Sequence, residues 1–183
     1  MRLFAALLAL CCSACPPPYD EAPVRKTRPA AAGSDASPRG PSTAEERAKA
    51  VEAATRLEAD PLAYGADEER ARLTVWIMQI PDIYVKTCPA LIGELEPGPL
   101  HSMMTAQMLL ASTAFIIQNP KKAKDDVAVY TASLESVLRT YAAVLQVQPE
   151  SRASALDALL ARKREGTLAS YVKDTATDCT VGG

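Results

Sequence analysis

Histidine occurs once in this chain, at His101, and that scarcity removes most metal and acid–base chemistry before any fold is considered. A structural or catalytic metal needs several His, Cys or carboxylate ligands at set spacing, and neither HExxH nor a pair of CxxC motifs is present. The sequence therefore predicts no metal site. Glycine is equally thin: the eight glycines are scattered, which excludes a glycine-rich phosphate loop and gives no nucleotide cofactor a cradle. Charge of one sign is also missing, since 20 Lys and Arg face 22 Asp and Glu for a formal net charge of -2. A general nucleic-acid binder needs clustered cations to neutralise phosphates. Here the basic clusters are small, and Lys121-Lys122-Lys124 and Arg162-Lys163-Arg164 are both expected at helix ends, where cations offset the helix dipole. The carboxylate pairs Glu94 with Glu96 and Asp125 with Asp126 fall at helix flanks or loops, where solvation is their ordinary state. Aromatic residues make up only 5% of the chain against 48% hydrophobic, so the core must be built from Ala, Leu, Val, Ile and Met. Such side chains suit close packing of helices.

What the chain does have is one long run without charge. From Leu100 to Gln118 there is no Lys, Arg, Asp or Glu. Pro99 suits a first helical turn and Asn119-Pro120 supplies a stop. Met104, Met108, Ala111 and Phe115 form one row, and Met103, Leu110, Ala114 and Ile117 another. A helix apolar on every side must be covered by other helices or by lipid. Its length, about 28 Å at the helical rise, would also cross a membrane. His101, Ser102, Thr105, Gln107, Ser112 and Thr113 dilute the run, and two amphipathic neighbours need a surface to bury against. The expectation is a buried central helix within one all-α bundle of about five to six helices.

The N-terminus reads as an address. Residues 1 to 15, MRLFAALLALCCSAC, carry one cation at Arg2, an apolar run from Leu3 to Leu10, and small residues before Cys15. That is the pattern of an export signal. Cys12-Ser13-Ala14-Cys15 resembles the lipobox of bacterial lipoproteins, in which small residues precede the cysteine that is acylated and becomes the mature N-terminus. It departs from the usual form at the third position before the cut, where Leu is commonest and Cys12 stands. The resemblance implies a signal peptide over residues 1 to 14, lipid such as palmitate on Cys15, and a protein anchored to a bacterial membrane facing the periplasm or the cell surface. Cleavage after Ala14 without lipid, giving a soluble secreted protein, is the alternative. With Cys11 and Cys12 removed and Cys15 acylated, Cys88 and Cys179 remain, an even pair in an oxidising compartment and hence an expected disulfide. Such a bridge constrains the unfolded chain by roughly 4 kcal/mol in the loop-entropy account.

Behind the address, Pro16 to Pro41 holds seven of the fourteen prolines and little that could be buried. Residues 15 to 41 are expected to be a disordered tether, holding the domain roughly 30 to 80 Å from the membrane. Residues 42 to 183 form the expected helical domain. Thr43 with Glu46 makes a capping box ahead of an Ala-rich helix to about Ala59, whose thin face includes Ala44, Ala48, Val51, Ala54 and Leu57. Asp67, Glu68 and Glu69 open a second helix with Leu73, Trp76, Ile77 and Ile80 on one face and Trp76 as a core anchor. Residues 82 to 99 read as an irregular connection holding Cys88, with a helical turn after Pro89. Past the central helix, the best periodicity in the chain runs from Val127 to Leu145; a helix restarts near Glu150, and Thr167 caps a last short one. The stretch YAAVLQVQPESRASALDALLA resembles the joint between two tetratricopeptide repeats, with Pro149 at the turn. No second copy follows some thirty-four residues away, so a helical hairpin is what that likeness implies.

No motif names a reaction. The leading functional expectation is a non-enzymatic binding module, displayed in the cell envelope, whose partners are the membrane through its lipid and a protein or envelope component. A thiol-dependent hydrolase or transferase would need Cys88 reduced and activated by His101. A carrier of apolar ligands would use Met78, Met103, Met104 and Met108 as an adaptable lining, although core filling is their commoner role.

Overall fold

The computed structural model describes residues 39–179, and among these the protein is all-α with no strand. The signal peptide, Cys15 and most of the expected tether lie outside the described residues. Six α-helices are present: α1 (Ala44–Ala59), α2 (Ala66–Gln79), α3 (Pro99–Gln118), α4 (Asp126–Val147), α5 (Ser154–Arg164) and α6 (Leu168–Ala176), with single 3-10 turns at Pro89–Ile92 and Pro120–Lys122. The expected bundle around residues 100–118 is therefore the fold.

Thr43 caps α1 as its sequence dictates. Its Oγ1 accepts from Glu46 N at 3.2 Å, and Glu46 Oε2 accepts from Thr43 N at 2.8 Å, a reciprocal capping box. The buried face is Ala50, Ala53, Ala54 and Leu57, while Ala44 and Ala48 are exposed. The alanines of α1 fall on nearly every side of it, so periodicity alone does not choose its face. Leu57, the largest apolar side chain on it, does. The helix is anchored at its start by Asp82, whose Oδ1 accepts from Ser42 N and whose Oδ2 accepts from Ser42 Oγ, both at 2.8 Å. Arg47 donates to Ser42 Oγ at 2.8 Å and to Asp82 Oδ2 at 2.6 Å, closing a small network between α1 and the segment after α2.

Helix α2 follows Gly65, which at φ 78° takes a left-handed turn that other residues enter at a cost. Ile77 and Ile80 are buried, whereas Leu73 and Trp76 are half-buried at the edge of the α1–α2–α3 cluster. Trp76 is thus a rim residue instead of the expected core anchor, with the Arg39 guanidinium 5.8 Å above its ring.

Helices α1, α2 and α4 cover three sides of α3. Met104, Met108, Leu110, Ala111 and Ile116 are buried, together with the polar Gln107, Ser112 and Thr113. Among the described residues α3 is the one helix long and apolar enough to cross a membrane, and 44% of its most apolar window is buried within the bundle. Phe115 and Met103 remain half-buried, which leaves side chains of α3 available to line grooves.

The main core gathers around α4, with Met104 and Met108 of α3 on one side of it. Tyr130, Leu134, Val137, Leu138, Tyr141 and Val144 meet Leu91 and Ile92 of the 3-10 turn, Leu156 and Leu159 of α5, and Leu168 and Val172 of α6. Val127, at the start of the expected apolar stripe, is 39% exposed, because only one turn further on does the face meet its neighbours. Helix α5 begins at Ser154, four residues later than Glu150: Tyr141 Oη accepts from Ala153 N at 2.9 Å and holds the chain in a turn until then. The α5 end is a Schellman closure, with Gly166 at φ 73°, Gly166 N donating to Lys163 O at 3.3 Å and Thr167 N to Arg162 O at 2.9 Å. Thr167 Oγ1 donates back to Arg162 O at 3.3 Å, so it finishes α5 and makes no side-chain cap for α6.

Candidate functional site

The structure places the expected site residues in three different surroundings. Cys15 lies outside the described residues. Cys88 and Cys179 lie side by side with their Cα atoms 5.5 Å apart, inside the range a disulfide spans, and Cys88 is fully buried in the main core. Two further groups hold that junction together. Tyr171 Oη donates to Leu91 O at 3.2 Å, and Val172 and Ala176 of α6 pack into the same cluster, so the C-terminal helix is docked beside Cys88 by its own side chains. His101 stands elsewhere, half-buried in the first turn of α3. No hydrogen bond joins Cys88 to His101 among the described residues; the neighbour of Cys88 is Cys179.

The four methionines also separate. Met104 and Met108 are fully buried core filling, Met103 is half-buried, and Met78 is 79% exposed on α2. They do not line one groove.

A cleft of about 640 Å³ opens where the starts of α2 and α3 meet the α4–α5 turn. Its apolar floor is Leu62, Leu95, Leu100, Met103 and Val144. Its rim carries Asp67, Glu94 and Glu96 as anions, with His101 and Arg152 beside them. Each wall has a local cause. Pro99 sits in the first turn of α3 and sets Leu100 and His101 on the cleft side. Gly93, at φ 67°, bends the incoming strand of chain past α5; a Cβ there would stand 3.1 Å from Ala155 Cβ, so the bend needs glycine on both conformational and steric grounds. Opposite, Tyr141 fixes the α4–α5 turn: besides accepting from Ala153 N, its hydroxyl donates to Asp157 Oδ1 at 3.0 Å, and Arg152 pairs with Asp157 Oδ2 at 3.1 Å. Burial is the main cause holding the Tyr141 hydroxyl above its ordinary pKa, which keeps it protonated and able to donate.

Glu94 and Glu96 are exposed, and the Arg152 guanidinium is engaged by Asp157, so the rim presents an excess of negative charge above an apolar floor. Among the described residues no group of three or more His, Cys, Asp and Glu side chains is placed to hold a metal ion.

Three polar placements were missed at the level of sequence. Arg70 is 4% exposed, its Nη1 on Asp67 Oδ1 at 2.8 Å and its Nη2 on Pro61 O, where it ties the α1–α2 turn to α2. The spacing Asp67-x-x-Arg70 is the available signal, but such pairs are usually solvated. Gln107 and Ser136, 1% and 2% exposed, meet across α3 and α4. Nothing local to either residue announces that. Comparison of the chain with protein-family models, with curated proteins and with solved structures yields no match.

Proposed function

We propose that this chain is an exported lipoprotein, acylated at Cys15 after removal of residues 1 to 14, whose helical domain is a non-enzymatic binding module of the cell envelope. The tether of residues 15 to 41 spaces the domain from the membrane. The observation that carries the binding assignment is the cleft: an apolar floor to hold aliphatic side chains and an acidic rim to select against anionic partners. Its occupant on this reading is a segment of an envelope protein or peptide that combines apolar side chains with Lys or Arg. The Cys88–Cys179 juxtaposition supports export, because a pair at disulfide distance suits an oxidising compartment and leaves the buried Cys88 unavailable as a nucleophile.

Two measurements test this. Metabolic labelling with a palmitate analogue should mark the wild-type chain and leave Cys15→Ala unmarked, with the variant shifted out of the membrane fraction; equal labelling of both overturns the anchor. Cross-linking in native membranes followed by mass spectrometry should recover one partner with wild type and lose it in the Glu94→Lys/Glu96→Lys double variant. Recovery undiminished by charge reversal, in a variant of unchanged helical content, assigns the partner to another surface and overturns the cleft reading.

A further inference from the structure

A second cavity, of about 320 Å³, opens where the end of α3 meets the start of α4, about 24 Å along α3 from the acid-rimmed cleft at Leu100. Its apolar walls are Ile116 of α3 and Val129 of α4. The chain between α2 and the first 3-10 turn closes another side with Tyr84 and Lys86.

Two tyrosines here are placed in ways the packing of the bundle does not require. Tyr130 is 2% exposed, its ring part of the main core. Its hydroxyl has no hydrogen-bond partner among the described residues. Nor is that hydroxyl sealed away: the buried polar atoms without a partner belong to other residues, such as Ser112 and Thr140, so the small accessible part of Tyr130 includes its oxygen. The cavity is where it opens, since Asp126, Lys86 and Tyr84, all on the cavity wall, are the charged and titratable groups that act on it. Burial is the main cause holding this hydroxyl above its ordinary pKa, so it stays protonated and offers one O–H to whatever enters. Tyr141, on the same helix, commits its hydroxyl to Ala153 and Asp157; Tyr130 commits its own to nothing in the protein. The second tyrosine, Tyr84, stands at the mouth with 80% of its surface bare. A ring left open beside an apolar wall buries its area only when the cavity is filled.

The charges around the cavity say what kind of acceptor that O–H awaits. Lys86 is paired with Asp126 at 3.1 Å, and Asp125 caps α4 by accepting from Ala128 N at 3.0 Å. Lys124, on the wall, has no ion pair among the described residues, and Lys121 and Lys122 stand in the 3-10 turn just before it. The uncommitted charge is therefore positive, and an ammonium would be repelled. A single negative charge is attracted, and it can accept from Tyr130 and pair with Lys124 at once. A second negative charge would meet Asp125 and Asp126. The volume is at the small end of ligand pockets, which limits the body to a short chain or a single ring. We propose that this cavity binds a small monocarboxylic acid, its carboxylate accepting from the Tyr130 hydroxyl and pairing with Lys124, and its apolar body lying on Ile116 and Val129 beneath the Tyr84 ring. The site is independent of the cleft, and each assignment stands or fails alone.

Titration calorimetry of the full chain with phenylacetate, its methyl ester and phenethylamine tests it. Phenylacetate should bind, the neutral ester at least about tenfold more weakly, and the amine not at all at millimolar concentration. Tyr130→Phe should weaken phenylacetate about tenfold or more without lowering the thermal midpoint of the free protein, because the hydroxyl it removes makes no bond within the fold. Lys124→Gln, at an exposed position, should weaken phenylacetate to a similar degree. Absence of phenylacetate binding at millimolar concentration, equal binding of the ester, or phenylacetate affinity unchanged in Tyr130→Phe each overturns the proposal. So does a lowered midpoint in Tyr130→Phe, which would assign the hydroxyl to the fold. Affinity unchanged in Lys124→Gln overturns it equally, and that exposed substitution gives a reading whatever the Tyr130 variant does to folding.

Discussion

Tyr141 is fully buried, yet its hydroxyl serves two elements at once, accepting from Ala153 N at 2.9 Å and donating to Asp157 Oδ1 at 3.0 Å. Tyr141→Phe keeps the ring in the core and removes both bonds, leaving the Ala153 N–H without its acceptor. The expected loss is about 1 to 2 kcal/mol in urea denaturation, with the m-value unchanged. At this scale the sequence is a partial guide. Tyr141 is read correctly as a buried position from its place in the stripe from Val127 to Leu145, because burial of a large apolar ring follows period. Its hydrogen bonds are not readable, since both partners lie past a turn whose geometry no local pattern specifies. Arg70 and Gln107 teach the converse. Polar residues inside helices are ordinarily solvated, and only the assembled bundle turns these two inward, Arg70 towards Pro61 and Gln107 towards Ser136.

Element boundaries were legible wherever a cap announces them. The Thr43–Glu46 box, Pro99 in the first turn of α3 and Asp125 ahead of α4 all stand where the chain predicts them. They were shifted where tertiary contact intervenes, as at α5, and the face of α1 was ambiguous because alanine is apolar in every direction. The docking of α1 nevertheless has a titratable latch. Asp82 is lowered from 3.8 to about 2, first by the Ser42 backbone N–H and then by the Ser42 hydroxyl and Arg47, and Glu46 is lowered chiefly by the Thr43 backbone N–H. For carboxyls depressed in this way the stabilisation is fully present above the unfolded value, and it is lost as pH falls through the folded one. Stability measured from about pH 5 down to about pH 2 should therefore fall, and Asp82→Asn should flatten that slope while lowering stability at neutral pH. A wild-type profile that Asp82→Asn leaves unaltered would place the acid sensitivity elsewhere.

For the molecule as a whole, composition foretold the all-α class and the central uncharged helix, since scarce aromatics and abundant Ala, Leu and Met leave few other ways to fill a core. The clefts were not foretold: a groove is made by residues far apart in the chain, such as Leu62, Leu95 and Val144, and its acidity is the sum of carboxylates on different elements. The Cys88–Cys179 contact is the one long-range feature that simple counting reached. With the bridge formed, intact mass under native conditions should show no alkylation at either cysteine until the protein is reduced. Reduction should then lower stability by about 4 kcal/mol. Ready alkylation of both thiols in the unreduced, folded protein would show that the pair stays open.

The same contact has a mechanical meaning. A bridge between Cys88 and Cys179, 91 positions apart, would turn α3 to α6 into a closed ring and leave α1 and α2 on the open arm that leads to the N-terminus. Tension arriving along that arm would reach the Ser42–Asp82–Arg47 latch first and peel α1 and then α2, paying out at most about 170 Å of chain from residues 39–88. There it would stop. The load would pass from Cys88 to Cys179 through sulfur instead of through the helices. Helices α3 to α6 would keep their packing while the arm acts as a stretchable leash, and Gln107 would part from Ala54 before it parted from Ser136.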